Sequence, residues 1–552
     1  MCKVIAHKGA LKKMSLKKER QKLYSRNYTG FGLDMNVFVS VVSALLVLGF
    51  SFFTIAKPNV SAEFFANTNA AINKNFNWLY VITINAALVF MLFIGFSKFG
   101  NIRLGGYTAK PEFNDLSWFA MMFSAGVGIG IFFYGIAEPI YHLNIPDALQ
   151  SDSAFDSFKI MYLHWGFHAW SIYGLLAIGL GYFSYNKGLP FGMRSLFYPL
   201  LKEKIYGIWG DIIDTVATLA VLFGLAISLG IGAKQINSGL NYVFGLTDAP
   251  NVQVIIIIII TLIATVSVVS GISRGIKWLS EANIYVSALL LLAITLIGPT
   301  GYVLSTYLSG MGIYIRDFVN LGLFTAIESN DMSWQGAWTI FYWAWWISWA
   351  PFVGTFIARI SRGRTIRQIA LGVIALPTIA VTFAMTVLGA PGMFINNLHN
   401  GIIEKAVESN VATSLFEMYQ YITHSYILQM VLSIVTVVAI MIFFVTSSDS
   451  GSLVVSNLTS GGRSNPPIPQ RVFWAFMEGT IAISVLLIGG EAALSTLQSA
   501  TVILGLPFSF ILLLVIFSLA KELQHSYKKY SRNQNIRLKR QLGKIKKDAK
   551  FE

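Results

Sequence analysis

Apolar stretches of about 20 residues, each long enough to cross a bilayer, recur from residue 36 to residue 520. They predict spans at about 36–56, 77–97, 118–141, 160–183, 212–232, 252–272, 284–306, 336–358, 368–390, 427–447, 472–490 and 502–520. An interrupted, partly amphipathic stretch, 307–335, separates the seventh from the eighth. The outer helices of a large soluble core would each carry a polar face, and 36–56, 252–272 and 502–520 have almost none. The expected fold class is an all-α polytopic membrane protein with twelve transmembrane helices.

Composition agrees. Of 552 residues 55% are hydrophobic and 12% charged, roughly half the charged fraction of a soluble domain. The net charge of +15 is sorted along the chain. With the N-terminus inside, 35 Lys and Arg fall on the inner side and six outside: Lys57, Lys74, Lys159, Lys234, Arg316 and Lys405. This asymmetry places both termini in the cytoplasm and the chain in the cell membrane. The basic excess then reads as topology and contact with anionic lipid, not nucleic-acid binding. The first apolar run follows a basic leader that includes Lys12, Lys13, Lys17, Lys18 and Arg20, and is too long for a cleavable signal peptide. Cys2 is the single cysteine, which excludes disulfides and thiolate metal sites within the chain.

Three segments carry candidate chemistry. In the third span Gly126, Gly128 and Gly130 alternate, followed by Glu138 and Pro139. Glycines at i, i+2 and i+4 do not line one helix face, so they suit a backbone that leaves helical geometry. Freed carbonyls there can ligate a cation and helix ends can face an anion; a tightly packed flexible helix is the alternative. Glu138, the span's only acid, is read as structural or gating rather than as a cation ligand. The fourth span holds His164, Trp165, His168, Trp170 and Tyr173, and the eighth Trp343, Trp345, Trp346 and Trp349. Six of the thirteen tryptophans lie in these two stretches. Trp346 and Trp349 share a face, as do Trp170 and Tyr173. Aromatic faces brought together attract a quaternary ammonium; an interfacial belt with packing is the alternative. His164 and His168 have a spacing usable for metal ligands, but no third ligand accompanies them in the pattern, and packing is favoured. The tenth span ends on Thr446 and Ser447, hydroxyls that suit a sodium cage or simply bond back to their own helix.

Five spans run from 118 to 306 and five from 336 to 520. An odd-numbered unit in tandem places its copies in opposite orientations, which predicts two inverted five-helix repeats. The expected domains are a basic segment 1–35, two peripheral helices in 36–117, repeats 118–306 and 336–520 joined by 307–335, and a basic tail 521–552 whose stretch from Tyr530 to Lys547 forms a basic helix on anionic lipid.

The chain resembles the betaine/carnitine/choline transporter family over about residues 30–520. The resemblance rests on Phe132 to His142 with Glu138 and Pro139, on Trp343 to Gly354 with Arg359, Arg362 and Gly363, and on Thr446 to Ser452 with Asp449. It implies a LeuT-like core behind two extra N-terminal helices and a trimethylammonium box of Trp165, Trp170, Tyr173, Trp346 and Trp349, with Gly126, Gly128 and Gly130 lining the substrate. Trp345 is a neighbour with a packing role. The resemblance further implies a sodium site near Ser124, Ala125, Val127 and Gly128, closed by Phe443, Thr446 and Ser447, and a weaker second site at Phe352 and Thr218. Choline-type members carry an acid where this chain has Gly130, so the chain resembles the glycine betaine type. Related carriers form trimers, for which 312–327 is a plausible contact, and some sense osmotic stress through a basic tail.

The function expected is secondary uptake of glycine betaine, a small zwitterion, with sodium as coupling ion and no cofactor. Proton coupling, or exchange of carnitine, choline or another betaine, is the alternative within transport. A membrane enzyme acting on a choline headgroup is the remote one.

Overall fold

The computed structural model describes residues 26–126, 128–151, 153–270, 273–463, 465–488 and 490–548. The basic leader up to residue 25 lies outside the described residues. A small antiparallel hairpin, β1 (Tyr28–Gly30) and β2 (Leu33–Met35), precedes the helices and is the one departure from an all-helical fold among the described residues.

Asn36 caps the first long helix, α1 (Val37–Ala56), its side chain accepting the Val39 N–H at 3.1 Å. Lys57 ends it, and Pro58 opens α2 (Pro58–Phe96), where a proline loses no helical hydrogen bond. The polar stretch 57–76 therefore departs from the loop expected there: from Pro58 on it is helix, and Asn75 bonds back to the Ala71 carbonyl at 2.7 Å.

The third span is split into α3 (Asp115–Gly126) and α4 (Gly130–Tyr141), broken where the glycines alternate. The fourth is split as well, into α5 (Asp156–Trp165) and α6 (Phe167–Gly181). A Cβ at Gly166, between them, would stand 2.3 Å from the Tyr162 carbonyl oxygen. Continuous helices follow: α7 (Ile208–Phe244), α8 (Pro250–Ser270) and α9 (Ser273–Ile297). The chain then bends by 110° into α10 (Thr300–Arg316). The seventh span, expected to run to 306, thus ends early. Pro299 has no N–H to give and disfavours helix at Gly298. Short helices α11 (Phe318–Leu323) and α12 (Ser329–Gln335) lead to a π-helical turn, Gly336–Ile340, and α13 (Phe341–Ile360). The remainder comprises α14 (Ile366–Leu398), α15 (Ile402–Ser409), α16 (Ser414–Ile422), α17 (Tyr426–Thr459), α18 (Ile468–Leu486) and α19 (Gly490–Asp548). A capping box between Thr365 and Gln368 starts α14.

Among the described residues seven helices are long and apolar enough to cross a membrane, and α9 with α10 would make an eighth. The chain is a multi-pass helical membrane protein. Lipid is as apolar as leucine, so its cohesion comes from close packing and hydrogen bonds. α17 lies along α7, α13 along α6 and α19 along α2. Small residues set these distances: a Cβ at Gly354 of α13 would stand 2.6 Å from the Leu176 Cβ of α6. Arg194 is enclosed between Asp211, at 2.9 Å, and Asp214, at 2.5 Å.

Candidate functional site

All six tryptophans of the two clusters are buried, so these rings are core, not interfacial belt. The break at Gly166 shapes their anchoring. It leaves the His164 carbonyl in the last turn of α5, where helix carbonyls lack an internal partner. The Trp346 indole N–H takes it at 2.7 Å. The Trp349 N–H donates to the Gly224 carbonyl of α7, also at 2.7 Å. The Trp165 N–H donates to Glu138 Oε2 at 2.7 Å. With their edges tied down, the ring faces are left for one another. Trp165 stands edge-on to Trp346, centroids 4.9 Å apart, and Trp345 stacks on Trp346 at 4.9 Å and 11°. Trp349 meets Trp345 at 6.3 Å and Phe352 at 5.7 Å. Each such pair adds about 0.5–1.5 kcal/mol beyond area burial.

Glu138 is the hub beneath this cluster. Its Oε2 also accepts the Tyr342 hydroxyl at 2.8 Å, and its Oε1 lies 2.6 Å from His164 Nδ1. His164 and His168 do not converge. The break at Gly166 separates them, and His168 stacks on Phe318 at 4.8 Å.

The glycine run meets the aromatic cluster. A Cβ at Gly130 would stand 2.8 Å from the Trp165 ring and 3.0 Å from the Trp345 ring; one at Gly128 would touch Trp349 at 3.5 Å. The space where a side chain would project from 130 is filled by two indoles. Trp170 and Tyr173 pair with each other at 5.5 Å, edge to face. Among the described residues no ring contact joins that pair to Trp346 or Trp349. Trp345, expected only to pack, is central to the cluster, and among the described residues its N–H has no hydrogen-bond partner. The signal available in the sequence was its place beside Trp346, at the position that reaches the glycine run.

Val127, and the side chains of Ser124, Ala125 and Gly126, lie outside the described residues. Near the break, Phe132 faces Phe443 of α17 at 6.2 Å. A Cβ at Gly232 of α7 would meet both Ile129 and Phe444, at 2.7 and 2.9 Å. The Thr446 hydroxyl bonds back to Ile442, at 2.9 Å, and Phe443, at 3.2 Å; Ser447 is half-buried beside it. The Thr218 hydroxyl donates to the Asp214 carbonyl at 2.7 Å.

On one side of the cluster lies a cavity of about 560 Å³, lined among others by Phe133, Tyr134, Tyr141, Lys234, Trp338 and Gln498. Tyr134 separates it from the indoles, 6.2 Å from Trp345 and 5.5 Å from Tyr342. The arrangement can admit a small polar solute and offer it aromatic faces, and it presents no nucleophile with a base.

Residues 38–528 match the family model of the betaine/carnitine/choline family transporters. The chain belongs to the betaine/carnitine/choline transporter family. It is similar to glycine betaine transporter 1 of Vibrio parahaemolyticus, 43% identical over 457 residues, covering 81% of this chain and 85% of that one. A glycine betaine/proline/choline/ectoine transporter of the same organism is 39% identical over 536 residues, 95% and 93% of the two chains. The glycine betaine transporter of Acinetobacter baylyi is 40% identical over 497 residues, 89% and 74%. As a betaine/carnitine/choline transporter the chain is a membrane transporter and not an enzyme.

Proposed function

We propose that this chain takes up glycine betaine by sodium-coupled secondary transport, through a site enclosed by two inverted five-helix repeats in a twelve-span chain with both termini inside. The observation that carries this reading is the cluster of Trp165, Trp345, Trp346 and Trp349 packed against Gly128 and Gly130 at a broken helix. A trimethylammonium group cannot accept or donate a conventional hydrogen bond, so aromatic faces whose N–H edges are engaged elsewhere are suited to it. Its carboxylate needs donors, and the N-terminus of α4 and the Trp345 N–H supply them. Trp170 and Tyr173 complete the box after the rings separate, since Trp165 and Trp346 now touch. Relatives at about 40% identity carry glycine betaine in their names, which supports the substrate.

Sodium is assigned to a site at Ser124, Ala125, Val127 and Gly128, largely through carbonyls, with Phe443, Thr446 and Ser447, and a weaker second site to Phe352 and Thr218. Exposed Ile315, Val319, Leu323 and Ile327 recur every fourth residue along 312–327, which supports a contact between copies in a homotrimer. The helical tail, continuous to Asp548, is assigned to anionic lipid and osmotic control. Uptake of labelled betaine into proteoliposomes, with and without an inward sodium gradient, tests the core of this reading. Saturable uptake that requires the gradient supports it; equal uptake without any ion gradient rejects coupling.

One observation favours proton coupling as the second reading. Glu478 of α18 is fully buried at the side of α17, its Oε2 3.3 Å from the Ser448 hydroxyl, and among the described residues its Oε1 has no partner. An ionisable group in that position is a candidate proton carrier. Uptake driven by a proton gradient, and abolished in Glu478→Gln, would displace sodium as the coupling ion.

A further inference from the structure

Glu138 faces more than the tryptophans. His142, one turn further along, caps the C-terminal end of α4 and lies on the same side as Glu138. His164 comes from α5. Glu138 Oε1, His142 Nε2 and His164 Nδ1 all lie within 4.8 Å of one another: Oε1 is 2.6 Å from His164 and 3.4 Å from His142. All three side chains are fully buried. Two of them have complete outer partners. His164 Nε2 lies 3.0 Å from the Thr339 hydroxyl, which fixes the ring, and Glu138 Oε2 is held by Trp165 and Tyr342. His142 has none: its Nε2 makes only the 3.4 Å approach to Glu138 Oε1, and among the described residues its Nδ1 makes no hydrogen bond. A buried imidazole left so is unfavourable by the desolvation of its polar atoms unless something else occupies it.

We propose that Glu138, His142 and His164 form a binding site for a divalent transition cation of the zinc class. Two imidazoles and one carboxylate are the ligand types zinc takes, whereas magnesium and calcium prefer oxygen throughout. Zinc at about 2.0–2.1 Å from each ligand sets neighbouring donor atoms about 3.3 Å apart. The 3.4 Å edge already has that length, and the 2.6 Å edge opens when the cation replaces the proton shared by Glu138 and His164. The partners of His164 and Glu138 are the outer hydrogen bonds that orient metal ligands. Access exists beside it: His142 meets the Trp338 ring edge-on at 4.9 Å, and Trp338, in the π-helical turn, lines the 560 Å³ cavity. Three ligands leave one position for water. A bound cation ties α4 to α5 through the carboxylate that also holds Trp165, so it arrests the movement of that ring and inhibits transport. Glu138, read from the sequence as structural or gating rather than as a cation ligand, takes both roles in this arrangement. His142 falls just past the expected end of the third span, in the run from Phe132 that carries the family resemblance, and is given no role of its own there.

Binding is measured on the full chain in nanodiscs, stripped with chelator and titrated with zinc alone. One saturable site is expected, weakened in His142→Ala by more than roughly 10-fold, the loss typical of an outer partner alone. It is unchanged in His424→Ala, a histidine exposed on a loop. X-ray absorption at the zinc edge of the unmodified chain covers the case in which the variant misfolds; it is expected to show two imidazole nitrogens and carboxylate oxygen. Equal binding by wild type and His142→Ala, a sulfur- or oxygen-only shell, or no saturable site overturns the proposal. No substrate is involved, so failure here leaves the transport reading standing, and betaine uptake in chelated buffer judges that separately.

Discussion

Trp349 and Gly224 are fitted to each other twice: the indole N–H donates to the Gly224 carbonyl at 2.7 Å, and a Cβ on that glycine would stand 2.8 Å from the ring's Cδ1. The same residue supplies the anchor and the clearance.

Gly224→Ala should therefore displace the ring while leaving the helix intact, since alanine favours helix over glycine by about 1 kcal/mol. Crowding of this kind is worth about 1–3 kcal/mol. The apparent substrate constant for betaine should rise roughly 10-fold, with thermal stability unchanged or lower by up to about 2 kcal/mol. A normal constant in a folded variant would remove Trp349 from the substrate site.

Trp346 separates face from anchor. Trp346→Phe keeps an aromatic face and loses the bond to the His164 carbonyl; Trp346→Ala loses both. A desolvated cation–π contact is worth about 2 kcal/mol, so the alanine variant should show a constant raised roughly 30-fold. The phenylalanine variant should fall between it and wild type. If the two variants behave alike, the ring face is not what the substrate reads.

Glu138→Ala removes both carboxylate oxygens. The buried Trp165 N–H and Tyr342 O–H are left without an acceptor and His164 Nδ1 without its partner. A loss of about 2–4 kcal/mol of stability is expected, read as a lower thermal midpoint in detergent. An unshifted midpoint would mean that this carboxyl does not organise the cluster.

Lys159 is buried against Asp156 at 2.9 Å and Asp317 at 3.0 Å, fastening the start of α5 to the end of α10. The Arg316 hydrogen bond holds the Asp317 carboxyl down to about 2 from its ordinary 3.8. Partial burial pushes Asp156 up, but bonds from Ser151 and Lys159 outweigh it and hold it below its usual value. Depressed carboxyls stabilise the fastened state fully above about pH 4, and that contribution is lost as pH falls toward 2. Hydrogen exchange in residues 300–323, corrected for intrinsic rates, should stay flat from pH 8 to 5 and rise between pH 4 and 2. A rise confined to pH 8–5 would assign the control to another group.

The hydrophobic pattern placed an apolar segment in each long helix, because a run of apolar side chains has no other way to meet lipid, but it did not place their ends: α2 begins at Pro58, and α7, α14 and α17 run on to Phe244, Leu398 and Thr459. It also located the break between the helix that ends at Gly126 and the one that starts at Gly130, where three glycines out of helical phase leave a detectable mark. The break at Gly166 was not legible. One glycine among tryptophans carries no phase, and the discontinuity depends on the contact with Tyr162. The bend at Gly298 and Pro299 was hidden by hydropathy continuous on both sides. Trp345 packs on Trp346, as its place beside that residue suggests, and His142 stands one turn from Glu138; what spacing along the chain could not supply is the approach of Trp345 to Gly130 and of His164 to Glu138, each from a helix distant in sequence.

Two of the three aromatic anchors, at His164 and Gly224, are main-chain carbonyls. Every residue type has one. Sequence drift around these positions, though not at Gly224 itself, where a Cβ would strike the Trp349 ring, can thus retune what lines the site without loosening the rings, as long as the helices keep their paths. Relatives with different substrates can inherit the same scaffold of fixed indoles and diverge only in what stands between them.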